Sequence, residues 1–182
     1  VISKDNIRET QMKKINIFVL ALCTVVISLS GCYLPISGKV IDAETNQPIE
    51  GAVVLVEWTK TIGVGLTATI SYKAVEVISD GEGKFQLPGC ACPTANEPGL
   101  TIYKRGYVAW NSKFIFPDNK ARVGFQWRAN EFKLEPFLSS YSYDKHTIFI
   151  GRSIGVHLDT SNKRTIINAS NWEHTKAAEE FR

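Results

Sequence analysis

Apolar residues crowd into one unbroken run near the amino end and afterwards recur in short alternating stretches. The first run, Ile17-Phe18-Val19-Leu20-Ala21-Leu22-Cys23-Thr24-Val25-Val26-Ile27-Ser28-Leu29, carries no charge, and none appears between Lys14 and Lys39. Its 13 residues fall short of the roughly 20 that a membrane-spanning helix requires. From residue 36 the texture changes. Ala52, Val54, Val56 and Trp58 alternate with Val53, Leu55 and Glu57, which places the two sets on opposite faces of one strand. Residues 38–42, 74–79, 84–87, 100–103, 113–116 and 131–134 read as further strands. Glu44-Thr45-Asn46-Gln47-Pro48 reads as a turn, and Asp80-Gly81-Glu82-Gly83 as a hairpin, because glycine accepts positive φ without steric cost. About seven strands in about a hundred residues is the size of a two-sheet sandwich, so the predicted fold class is all-β.

Past residue 137 the alternation weakens. Residues 147–150 and 156–160 read as the two strands of an extra hairpin, with Gly151 and Gly155 at its bend. Ser170-Asn171-Trp172-Glu173 has capping-box spacing and predicts a short terminal helix reaching about Phe181. The chain thus divides into a leader over 1–31, a sandwich over 36–137 and a C-terminal extension over 138–182.

Lys13 and Lys14 ahead of the apolar run, and Ser30 and Gly31 behind it, supply the positive start, apolar helical centre and small-residue end of a signal peptide. Met12 is a plausible true start, which makes 1–11 an upstream extension. Leu29-Ser30-Gly31-Cys32 resembles the lipobox of bacterial lipoproteins at all four positions. Small Ser30 and Gly31 let the backbone enter a peptidase site. The Cys32 thiol can become a thioether to diacylglycerol, and cleavage exposes its amine to further acylation. The resemblance implies a mature chain that begins at Cys32, carries palmitate-class acyl groups and resides in the cell envelope, with the membrane as its partner. Two or more acyl chains hold a protein on a bilayer where one does so only marginally. Tyr33, where inner-membrane retention would use Asp, implies the periplasmic face of the outer membrane if the cell is Gram-negative.

Gly38-Lys39-Val40-Ile41-Asp42, followed by Asn46-Gln47-Pro48-Ile49-Glu50-Gly51-Ala52-Val53-Val54, resembles the opening of the carboxypeptidase regulatory-like domain. Ser79-Asp80-Gly81-Glu82-Gly83-Lys84-Phe85-Gln86-Leu87-Pro88 is similar to its central hairpin, and Leu100-Thr101-Ile102 with Gly106-Tyr107 to its later strand and corner. The resemblance covers residues 36–137 and implies a transthyretin-like (prealbumin-like) sandwich without catalytic groups. Residues 59–72 depart from it, being longer than the usual connection, and loops of that length are often functional or flexible.

Composition narrows the remaining chemistry. The 182 residues are 44% hydrophobic and 21% charged, with a formal charge of +3. Beyond residue 31 the balance is 17 basic against 16 acidic residues, so nothing steers a nucleic acid. A zinc carboxypeptidase pairs a His with a Glu three residues on; His146, His157 and His174 have Phe149, Thr160 and Ala177 at that offset, and no metal site or cofactor is expected. Gly151-Arg152-Ser153-Ile154-Gly155 matches the G-x-S-x-G nucleophile pattern, with Asp159 and His174 following in hydrolase order. A nucleophile elbow requires a strand, a sharp turn and a helix. The expected hairpin offers no helix and the tail no room for a parallel sheet, so the match is read as chance.

Cys90-Ala91-Cys92 holds the two cysteines left after Cys23 departs with the leader and Cys32 takes lipid. A local disulfide is the first reading outside the cytoplasm, free or intermolecular thiols the second and a metal site the third. Trp110 and Trp127 lie in loop-like stretches and are the candidates for stacking on a sugar; core and loop packing is the plainer reading. Three functions follow: a non-catalytic envelope lipoprotein contacting another protein or serving as structural support, a carbohydrate- or peptidoglycan-binding module, and, most remotely, a hydrolase through Ser153.

Overall fold

Every residue from Ala52 to Trp58 is buried. A strand that shows one face to water cannot have that pattern; both of its faces are covered. The computed structural model describes residues 32–33, 35–92, 94–127, 131–155 and 161–182. The leader, including the expected signal helix and Leu29, Ser30 and Gly31, lies outside these residues. In chain order the elements are β1 (Cys32–Tyr33), β2 (Ile36–Asp42), β3 (Val53–Ile62), β4 (Ala68–Ile78), β5 (Lys84–Leu87), β6 (Cys90–Ala91), β7 (Gly99–Tyr103), β8 (Trp110–Asn111), β9 (Phe114–Ile115), β10 (Lys120–Ala121), β11 (Glu131–Leu134), α1 (Tyr143–Ser153) and α2 (Arg164–Glu179).

Two sheets face each other, one of three strands in the order β11-β2-β5 and one of four in the order β4-β3-β7-β8. Among the described residues only β11 and β2 pair in parallel; the other pairs are antiparallel. Two short ribbons, β1-β6 and β9-β10, stand at the margins. Val54, Val56 and Trp58 of β3 meet Val40, Leu87 and Leu134 of the opposite sheet, all fully buried. Burying such side chains contributes about 1.5–3 kcal/mol each. Gly38 is required where β2 passes under Phe132, because a Cβ there would stand 2.5 Å from the ring carbon Cε2.

The turn at Asp80-Gly81-Glu82-Gly83 is tight but closes no hairpin. Asp80 Oδ1 accepts the N–H groups of Glu82 and Lys84 at 2.9 and 2.8 Å, and Gly83 takes φ 74°. It joins β4 of one sheet to β5 of the other, because buried Ser79 ends β4 by accepting the Ala52 N–H and donating to the Ile49 carbonyl. The expected long loop over 59–72 is also different. β3 and β4 stay paired out to Ile62↔Ala68, so most of that segment is a continuous hairpin.

The all-β expectation fails in the C-terminal extension. Val53 and Leu55, on the outer face of β3, are covered by Phe149, Ile150 and Ile154 near α1 and by Ile166 of α2. The expected hairpin over 147–160 is not formed. Residues 147–150 are helical, and 156–160 lie outside the described residues. The buried positions His146, Phe149, Ile150 and Ile154 recur at helical spacing. The terminal helix begins at Arg164 rather than at Ser170, which is a buried interior position whose Oγ donates to the Ile166 carbonyl at 2.9 Å. Overall, β structure predominates, and two helices pack on the outside of the four-stranded sheet.

Candidate functional site

Cys32 and Tyr33 form β1, paired with Ala91 and Cys90 of β6. Cys32, the residue expected to carry lipid, therefore abuts the edge of the folded domain with no intervening linker. Cys90 and Cys92 are buried and paired with each other, their Cα atoms 5.3 Å apart, within the span a disulfide bridges. Lys73, on β4, donates to the Gly89 carbonyl at 3.4 Å, and Asn96 donates its N–H to the Thr59 carbonyl at 2.8 Å. The first bond joins the flank of the ribbon that holds Cys32, and the second the segment that follows β6, to the root of the β3–β4 hairpin.

Trp110 and Trp127 come together through Phe125, whose ring centroid is 5.3 Å from one and 5.0 Å from the other. Neither is a free platform. The Arg122 guanidinium lies 4.5 Å from the Trp110 ring, Phe132 abuts its edge, and Trp127 Nε1 donates to Glu97 at 3.2 Å. Burial lowers the pKa of Arg122, which donates to the Asn111 carbonyl at 2.7 Å. A groove of about 660 Å³ runs beside Trp110 and Phe125 and includes Arg122, Glu131, Lys133 and Glu135 in its walls.

Ser153 is the last residue of α1, not the apex of a strand-to-helix turn. Its Oγ is buried and, among the described residues, has no hydrogen-bond partner. His174 lines a groove of about 480 Å³ between the two helices, whereas Ser153 is not among the residues lining it. Asp159 lies outside the described residues. The elbow geometry is therefore missing for a physical reason: a helical backbone at 143–153 gives Ser153 none of the sharp, exposed projection that a nucleophile needs.

The most enzyme-like arrangement is one the sequence reading missed. His146 of α1, Glu173 of α2 and Tyr103 of β7 are almost wholly buried together. His146 Nε2 accepts the Ala109 N–H at 2.9 Å, so Nδ1 carries the ring proton and donates to Glu173 Oε2 at 2.6 Å. Tyr103 donates to Glu173 Oε1 at 2.7 Å and accepts from Trp172 Nε1 at 2.7 Å. Burial, reinforced by the Glu173 charge, pushes the Tyr103 hydroxyl well above its ordinary pKa and keeps it a neutral donor. A general base needs a free ring nitrogen to receive the substrate proton. Here both nitrogens are occupied, one by backbone, so the network fixes the helices to the sheet. The spacing of His146, Phe149 and Ile150 was the signal that could have revealed it.

Among the described residues no group of three or more His, Cys, Asp or Glu is placed to hold a metal, and no helix is long and apolar enough to cross a membrane. No family model matches the chain. No curated protein matches it. Among solved structures it is similar to a streptococcal ancillary pilin, at 16% identity over 58% of this chain and 30% of that one, with a TM-score of 0.31. It is also similar to the C-terminal domain of the shaft pilin spaA from Lactobacillus rhamnosus GG, at 17% identity over 58% of this chain and 98% of that one, with a TM-score of 0.32.

Proposed function

We propose that the protein is a non-catalytic lipoprotein of the cell envelope, a β-sandwich of the carboxypeptidase regulatory-like, transthyretin-like type tethered through acylated Cys32. The observation that carries this reading is the Leu29-Ser30-Gly31-Cys32 tetrapeptide, whose Cys32 is the first residue of β1, so that lipid and folded domain share one residue. Three strands facing four fit the sandwich type. Saturation of His146 and the helical setting of Ser153 argue against hydrolysis. In that compartment the Cys90–Cys92 pair is oxidised. The domain acts by contact, through its surfaces and its helical cover, with an envelope protein.

Metabolic labelling with an alkynyl palmitate tests the tether. The wild-type chain takes label and sediments with membranes; Cys32→Ser takes none and is released. Equal labelling of both chains rules out the anchor. A second reading, glycan binding, is favoured only by the polar groove beside Trp110. Glycan-array binding that is lost in Trp110→Ala would establish it.

A further inference from the structure

We infer that the outer half of the β3–β4 hairpin is a membrane-inserting arm, which seats the sandwich on the lipid bilayer beside Cys32; this rests on the anchor reading above. The last pair between β3 and β7 is Glu57↔Gly99, and β3 continues for five residues beyond it, a reach of about 17 Å at the rise of a strand. The register slips between Trp58 and Thr59, leaving Tyr72 as the extra residue of a bulge at the root of the arm. Every residue from Thr61 to Ile70 is exposed. Val64 and Leu66 at the tip are 103% and 95% exposed, with Ile62 and Ile70 behind them.

Soluble surfaces seldom keep bulky apolar residues together, and exposed β edges are usually guarded by charge or proline. This arm has neither guard: residues 61–72 contain no charged residue and no proline. Charge and aromaticity return only at its root. The Lys60 ammonium lies 3.5 Å from the Tyr72 ring centroid, and Lys73 follows at once. Tyrosine and lysine are the side chains that settle at headgroup level, the lysine stem lying along apolar surface while its charge stays wet.

The position of the arm selects the bilayer over other occupants. From the arm, β4 runs to the turn at residues 79–83 at the far end of the sandwich. Then β5 returns, its Leu87 opposite Ile36 of β2. Cys32, paired with Ala91, is therefore at the arm end, and the Lys73–Gly89 and Asn96–Thr59 bonds join the two. Acyl chain and arm tip then enter one surface, the pair of signals that stable peripheral anchoring uses.

The test uses the full-length gene product, processed in cells and reconstituted into vesicles of equal parts phosphatidylethanolamine and phosphatidylglycerol. Thr67→Cys at the tip and Glu82→Cys at the far end each carry a nitrobenzoxadiazole label, and Cys32 acylation is read by mass spectrometry. The tip label should shift to the blue and be quenched by brominated acyl chains, while the Glu82 position stays unquenched. Adding Val64→Asp and Leu66→Asp should abolish tip quenching without changing acylation. A tip label that stays wet on an acylated chain overturns the arm and leaves the anchor standing. Shielding that requires envelope extract or a second copy of the chain also overturns it, in favour of a protein contact. A chain that is not acylated at Cys32 overturns the anchor and the bilayer seat together.

Discussion

Lys163 Nζ lies 2.5 Å from Glu57 Oε1, and the pair is buried where α2 begins over the outer face of β3. Lys163 also donates to the Gly155 carbonyl at 3.4 Å. Removing one member of a buried pair leaves an uncompensated charge and costs about 3–5 kcal/mol, whereas an apolar replacement of both is often neutral. Lys163→Met should therefore lower the urea midpoint sharply, and Glu57→Leu with Lys163→Met should recover most of the loss. A double variant destabilised by the sum of the Glu57→Leu and Lys163→Met losses would mean that the charges are not coupled.

Glu173→Gln is nearly isosteric, yet it should destabilise. Its amide can present an acceptor to Tyr103 or to the Nδ1–H of His146, but its other side is a donor. Shifting the His146 proton to Nε2 would relieve one conflict and leave the Ala109 N–H without its acceptor. An unsatisfied buried donor costs about 1–3 kcal/mol. Thermal unfolding should register that loss, and nitrogen NMR of the wild type should report the Nδ1–H tautomer. A wild-type Nε2–H signal would overturn the hydrogen-bond assignment.

The inner face of β3 was legible because Val54, Val56 and Trp58 fall at every second position and so share one side of a strand. The helical cover was not, although Val53 and Leu55 on the opposite face already called for one. Local start signals misled because the caps are tertiary. Glu76 of β4 accepts the N–H groups of Thr165 and Ile166 at the start of α2, at 2.9 and 2.8 Å, while Lys163 at the N-cap position contributes no side-chain cap. Buried Ser170 and Glu173 also masked the apolar period of α2. Cys32, Cys90 and Cys92 were singled out from the chain, but the nearness of their ribbon to the root of the β3–β4 hairpin depends on long-range pairing.

Acid should loosen the domain at two carboxylates. The Thr45 N–H, with the Tyr107 hydroxyl and the Glu44 N–H, holds Asp42 below its ordinary pKa. The Tyr143 N–H, the Ser142 hydroxyl and the Asp144 N–H do the same for Glu180 at the start of α1. A carboxylate depressed in the folded state stabilises fully above its unfolded pKa of about 4, and that contribution fades as pH falls through the lower folded value. The urea midpoint should therefore drop between about pH 6 and about pH 2. Asp42→Asn with Glu180→Gln should show a lower midpoint near neutrality and a smaller drop in acid. A drop as steep as that of the wild type would exclude both groups.

Gly38 offers the sharpest test of how closely side chains pack across neighbouring strands of the three-stranded sheet. A methyl group there would sit 2.5 Å from Phe132 Cε2 and 3.1 Å from Phe85 Cζ, and Phe132 is only 1% exposed. The Phe85 and Phe132 centroids are already 5.5 Å apart, so neither ring can retreat without disturbing the other. Overpacking of this kind costs about 1–3 kcal/mol. Gly38→Ala should lower the melting temperature accordingly, and adding Phe132→Leu should return part of the loss, because the smaller side chain vacates the space the methyl needs. If Gly38→Ala melts with the wild type, β2 and the Phe132 ring are not in this contact, and the seam between β2 and β11 is packed differently.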